Sequence, residues 1–100
     1  MSDERSEIID ALGTLNYEFE VYLQERADNV KMRIVAKTPE EVVVKMTAPD
    51  EFSFALLTNT IFRVGYRLTA RVHFSPDYPW TYYLIFSRRE WDDLLEVDAP

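Results

Sequence analysis

Apolar and polar residues alternate along several stretches of the chain, a pattern typical of half-buried strands. The clearest stretch is 30–37, and its apolar positions are Val30, Met32, Ile34 and Ala36. Residues 42–48 are rich in β-branched side chains, and alternation returns in 66–74 and after the turn at Pro79 and Trp80. The run 81–86 is apolar on both faces, so it is expected to be central in a sheet or covered by a helix.

Residues 15–24 fit two interpretations. Apolar residues at 15, 17, 19, 21 and 23 alternate with more polar neighbours, which favours a strand. Residues 8, 12, 15, 19 and 22 also recur at helical spacing, through Gly13. An interior glycine costs a helix about 1 kcal/mol relative to alanine. The strand is therefore the prediction, and the helix remains the alternative.

Three further segments show helical periodicity. Residues 2–13 carry Ile8, Ile9 and Leu12 on one stripe, with Gly13 expected just past the last turn. Residues 50–65 and 87–98 repeat the pattern, with Asp50 and Ser87 as predicted N-terminal caps. The predicted order is α-β-β-β-α-β-β-α. The fold class is α+β, with a four- to five-stranded antiparallel sheet and N-terminal, middle and C-terminal helices.

Composition sets the broad class of protein. The 100 residues are 47% hydrophobic and 14% aromatic, enough for one small globular domain spanning 1–100. The chain has no cysteine, which excludes disulfides and suits a reducing, cytoplasmic setting. No apolar run approaches the roughly 20 residues of a membrane span, and the polar start does not resemble a signal peptide.

The net charge of −7 is unevenly distributed. Residues 1–28 hold eight acids and two arginines, and 90–100 hold five acids and no base. Residues 29–89 hold nine bases and five acids. One interpretation is that the acidic ends pair with the basic centre. The other is an acidic surface that contacts a basic protein, carried by Glu18, Glu20, Glu90, Asp92, Asp93 and Glu96.

The strand predicted over 66–74 has a basic polar face with Arg67, Arg71 and His73. A structural interpretation pairs this face with the neighbouring strand, for example Arg71 with Glu18, at about 0.2–1 kcal/mol per pair. The alternative is an exposed stripe beside Trp80 or Tyr83 that holds phosphates and stacks a base. The net charge opposes nucleic acid, so this is the weaker interpretation.

Catalytic signals are few. The chain has one histidine and two glycines, so neither a zinc ligand set nor a glycine-rich phosphate loop is expected. Glu18 and Glu20 would lie about 6–7 Å apart on one strand face, a spacing too common to indicate a glycosidase. We therefore expect that the protein is not an enzyme and that it binds no metal and no cofactor.

The preferred hypothesis is a small acidic protein-binding module that acts through its acidic surfaces: an inhibitor, a neutralising or anti-defence protein, or an adaptor. The first alternative is a self-assembling homo-oligomeric subunit of a virion or secretion assembly, pairing through a strand edge at Tyr82–Phe86. The second is the nucleic-acid binder with the Arg67, Arg71 and His73 face. No membrane partner is expected.

Overall fold

The computed structural model describes residues 4–25, 30–64, 71–75 and 80–96, and it confirms the α+β class. Within these residues four helices and four strands alternate in small groups. Their bounds are α1 Glu4–Leu15, α2 Tyr17–Glu25, β1 Lys31–Lys37, β2 Glu41–Thr47, α3 Glu51–Val64, β3 Arg71–Ser75, β4 Thr81–Ser87 and α4 Arg88–Glu96.

The four strands form one antiparallel sheet in the order β1-β2-β4-β3. Val44 lies at its centre, opposite Ile34 on β1 and Leu84 on β4. The β1–β2 turn closes with a 2.9 Å hydrogen bond from the Thr38 amide to the Glu41 carbonyl. Since β4 lies between β2 and β3, the prediction of a central strand is confirmed. The prediction that Tyr82–Phe86 forms an edge of the sheet is wrong, because β1 and β3 are its outer strands.

One face of the sheet is buried under the helices. Alternate positions of the inner strands are buried there, as the period of two in these strands predicts. They pack against apolar residues of the helices in one core. Its fully buried members include Ile8, Leu12, Phe19, Val42, Val44, Met46, Leu57, Leu84, Phe86 and Trp91.

The strand predicted over residues 15–24 is wrong, and the helical alternative is the structure found. Phe19 and Tyr22, three positions apart, are buried, whereas the Tyr17 side chain is 72% exposed. A strand would have placed Tyr17 and Phe19 on the same face. Period two and helical spacing both fit this short segment, and packing against α1 and α3 decided between them.

Gly13 lies inside α1 rather than beyond its end, because the helix continues to Leu15. A Cβ atom at Gly13 would lie 3.0 Å from the Cβ of Glu20 on α2. The glycine therefore allows the two consecutive helices to approach closely around the break at Asn16.

Both predicted caps that the structure describes are confirmed. The Asp50 Oδ1 atom accepts a 2.7 Å hydrogen bond from the Ser53 amide at the start of α3. The Ser87 Oγ atom accepts one of 3.1 Å from the Glu90 amide at the start of α4.

Candidate functional site

The second face of the sheet carries a continuous row of polar and aromatic side chains. Arg33 lies opposite Lys45, Lys45 opposite Tyr83, and Tyr83 opposite His73, so the row crosses all four strands. The four residues of this row are exposed or half-buried, whereas the residues that alternate with them along β2 and β4 are buried. Among the described elements, the helices thus cover only the other face. We call this surface the open face: Lys31, Arg33, Glu41, Val43, Lys45, Arg71, His73, Tyr83 and Ile85.

The centre of the open face is apolar. Val43 lies directly opposite Ile85 on the two inner strands, and both are half-buried. Together with Tyr83 and His73 they line a shallow groove between β2, β4 and β3. Glu41 and Lys45 flank Val43 along β2, and Arg71 on β3 lies opposite Ile85. An apolar centre with a charged rim is the usual anatomy of a protein–protein interface.

Two cations of the open face form ion pairs at its margins. The Arg33 Nε atom lies 3.1 Å from Glu4 Oε2, and the Arg71 Nη2 atom lies 3.5 Å from Glu41 Oε1. Both arginine side chains are more than two-thirds exposed. Exposed pairs contribute about 0–1 kcal/mol. An incoming carboxylate could therefore replace either partner at little cost.

The structure brings together three of the five residues predicted for a basic and aromatic site. His73 lies opposite Tyr83, and Arg71 is exposed opposite Ile85. Trp80 is instead on the helical side of the sheet, where its ring stacks on Phe54 with centroids 5.5 Å apart. Arg67 lies outside the described residues.

Arg33, Lys45, Val43 and Ile85 belong to the open face but were not predicted as site residues. Each was assigned to a strand, but the sequence gives no register between strands. Alternation within a strand shows which residues share a face and not which residues of other strands lie beside them. The pairing of β2 with β4 supplies that information.

The four predicted acidic residues whose side chains the structure describes lie on two helices. Glu20 is half-buried on α2 beside Gly13, whereas Asp93 is exposed on α4. Asp92 accepts a 3.2 Å hydrogen bond from Arg88, and burial raises the pKa of Glu90 above its ordinary value. The side chains of Glu18 and Glu96 lie outside the described part of the structure.

Two contacts predicted from the strand interpretation are wrong. Since residues 17–25 form a helix, there is no strand face for Glu18 and Glu20 to share. The proposed cross-strand pair of Glu18 with Arg71 has no strand to form on, and Arg71 pairs with Glu41. The broader prediction that acidic ends pair with the basic centre is confirmed by Lys37 Nζ, 2.9 Å from Glu7 Oε2.

The fold separates charge between its two layers. Helices α1, α2 and α4 contain ten acidic residues and three arginines. The four strands contain five lysines and arginines and one acidic residue. Helices α1 and α4 pack beside each other on the covered side of the sheet. The open face is thus locally basic although the whole chain is acidic.

Among the described residues, no group of three or more histidine, cysteine or carboxylate side chains is placed to hold a metal ion. None of the described helices has the length and apolar character needed to cross a membrane.

Comparisons with known proteins give no relative. No protein-family model matches the chain, and neither a curated protein nor a solved structure matches it.

Proposed function

We propose that this chain is a protein-binding module whose open face takes an acidic surface of its partner. The observation that carries the proposal is the row Arg33–Lys45–Tyr83–His73, which crosses the sheet beside the apolar pair of Val43 and Ile85. A partner with carboxylates around an apolar centre would complement both features. Inhibition, neutralisation and adaptor function are all compatible with such a surface.

The size of the open face suggests reversible binding. Strands about 4.8 Å apart, with seven residues rising about 3.3 Å each, give a flat area of roughly 400–500 Å². A standard interface buries about 800 Å² per partner. Binding through the sheet alone is therefore expected to be weak, and neighbouring elements would have to contribute for a stable complex.

The apolar pair of Val43 and Ile85 favours the open face over the acidic helices as the main site. The apolar centre is on the sheet, and burial of apolar area is the main source of free energy in association. In the alternative hypothesis, a basic partner binds the acidic surface of the helices. Variants on the two surfaces separate these alternatives.

The test is an affinity pull-down from the native host lysate with three forms of the chain. These are the wild type, an open-face variant with Lys45→Glu and Ile85→Ser, and a helix variant with Asp92→Asn, Asp93→Asn and Glu96→Gln. Circular dichroism checks that all three are folded. The proposal expects a stoichiometric partner with the wild type and the helix variant, and its loss with the open-face variant.

Equal capture of the partner by all three forms would overturn the proposal. Loss of the partner with the helix variant alone would show that the binding site is on α4. Nuclease treatment of the lysate provides a further control. If nuclease abolishes capture, the open face binds nucleic acid through Tyr83, His73 and the surrounding cations, and the protein-binding proposal fails.

A further inference from the structure

We infer that the acidic surface accepted by the open face belongs to a second copy of this chain, so that copies associate head to tail. This inference rests on the proposed function, because it requires the open face to bind an acidic protein surface. The occupant is the outer side of α1 and α4, the neighbouring helices that carry Asp10 and Asp93.

The two surfaces are complementary in charge. Asp10 and Asp93 are exposed on helices that contact each other, since Trp91 on α4 donates a hydrogen bond to Glu7 on α1. The open face presents Lys45 at the centre of its row and, on the outer strand β3, Arg71, whose exposed ion pair with Glu41 would have to be exchanged for the new carboxylate. Because the acidic helices and the open face lie on opposite sides of the sheet, one copy presents both surfaces at once.

The same charges disfavour association of two open faces. A two-fold symmetric contact would place the rim of one copy, with its four cations and the single carboxylate of Glu41, against the identical rim of the other. Like charges brought together in this way are repulsive. A head-to-tail contact avoids this repulsion and leaves one open face and one acidic surface available, so it extends to rings or filaments.

Ionic strength should have a clear effect on this contact. The net charge of −7 repels separate copies at long range, but the Debye length is only about 10 Å at 0.1 M salt. Close pairs between Lys45 or Arg71 and the carboxylates would then outweigh the repulsion. At about 1 M salt the Debye length falls to about 3 Å, and the association should be lost.

Sedimentation velocity of the purified chain tests the inference, over protein concentrations from about 10 µM to about 1 mM. The wild type is expected to exceed its monomer mass of 11.8 kDa as concentration rises at about 0.1 M salt, and to return to the monomer at about 1 M. Lys45→Glu, and separately the pair Asp10→Asn and Asp93→Asn, should each lower the association constant at least about tenfold.

Mixing the two variants gives the decisive observation. Lys45→Glu keeps an intact acidic surface, and the aspartate variant keeps an intact open face. The mixture should therefore form a 1:1 dimer that does not grow further. Unchanged association of either variant, or no dimer in the mixture, would overturn the head-to-tail contact.

A wild type that stays monomeric at every concentration would also overturn this inference. It would leave the proposed function standing if the lysate experiment still shows a partner that depends on the open face. Self-association unaffected by Lys45→Glu, combined with partner capture unaffected by the open-face variant, would reject both.

Discussion

The indole Nε1–H of Trp91 donates a 2.7 Å hydrogen bond to Glu7 Oε2, joining α4 to α1 across 84 positions of sequence. The same oxygen accepts from Lys37 Nζ on β1 at 2.9 Å. Trp91 is fully buried against Phe86, with ring centroids 5.2 Å apart. One carboxylate therefore connects two terminal helices and an outer strand of the sheet.

The charge of Glu7 should stabilise the fold at neutral pH. Burial alone would raise its pKa, but the hydrogen bonds from Trp91 and Lys37 outweigh burial, and the pKa is lowered. A lowered pKa adds stability above the unfolded value near 4.3, and this stability is lost as pH falls through the folded value. Glu7→Gln should therefore cost about 1 kcal/mol at pH 7. Urea unfolding should show the difference shrinking below about pH 4.

Glu90→Gln is the matched control, because it should act in the opposite direction. Burial raises the pKa of Glu90, so its negative charge disfavours the fold at neutral pH. This cost disappears as pH falls through the raised pKa. The variant should be at least as stable as the wild type at pH 7, measured by the same urea unfolding. A loss matching that of Glu7→Gln would contradict both assignments.

The helical structure of residues 17–25 predicts unequal effects of two aromatic truncations. Phe19→Ala should lower the unfolding free energy by about 3–5 kcal/mol, because Phe19 is fully buried. Tyr17→Ala should cost no more than about 0.5 kcal/mol, since Tyr17 is mostly exposed. Thermal or chemical denaturation measures both. Comparable losses would support the strand, in which both rings share the buried face.

Leu84 and Ile85 test the assignment of the two sheet faces. Leu84 is fully buried beneath the helices, so Leu84→Ala should cost about 2–5 kcal/mol. Ile85 is half-buried on the open face, and Ile85→Ala should cost about 1 kcal/mol. The second variant is also expected to weaken partner binding while remaining folded. A reversed order of stabilities would show that the register of β4 is wrong.

The cap at Asp50 should contribute measurably to α3. Asp50→Ala removes the acceptor of the Ser53 amide and should destabilise the protein by about 1 kcal/mol. Asp50→Asn retains a side-chain oxygen at the same place and should recover most of this loss. Guanidinium unfolding of the two variants, compared with the wild type, provides the measurement. Equal losses for both would assign the effect to charge instead of the cap.

Local patterns in the sequence were enough to predict much of the fold. Branched residues and alternation indicated β1, β2 and β4, and Asp50 and Ser87 marked the first turns of α3 and α4. These signals depend on neighbours within one or two turns or strand positions, so they can be read without tertiary information.

The secondary structure of residues 15–24 could not be predicted from local periodicity alone. Period two and helical spacing both select Leu15 and Phe19, and a ten-residue segment is too short to separate the two periods. The contact of Gly13 with Glu20 and the burial of Tyr22 exist only after α2 packs on α1 and α3. Long-range packing thus decided what local periodicity left open.

The sequence by itself determined the composition of the two surfaces: acidic residues near both ends, and basic residues in the centre of the chain. The tertiary structure decided that these become an acidic helical layer and a basic open face. It also decided that Lys45, Tyr83 and His73 lie in one row. The physical reason is that strand register and helix docking are set by the whole core, whereas sequence order fixes only which charges are near each other along the chain.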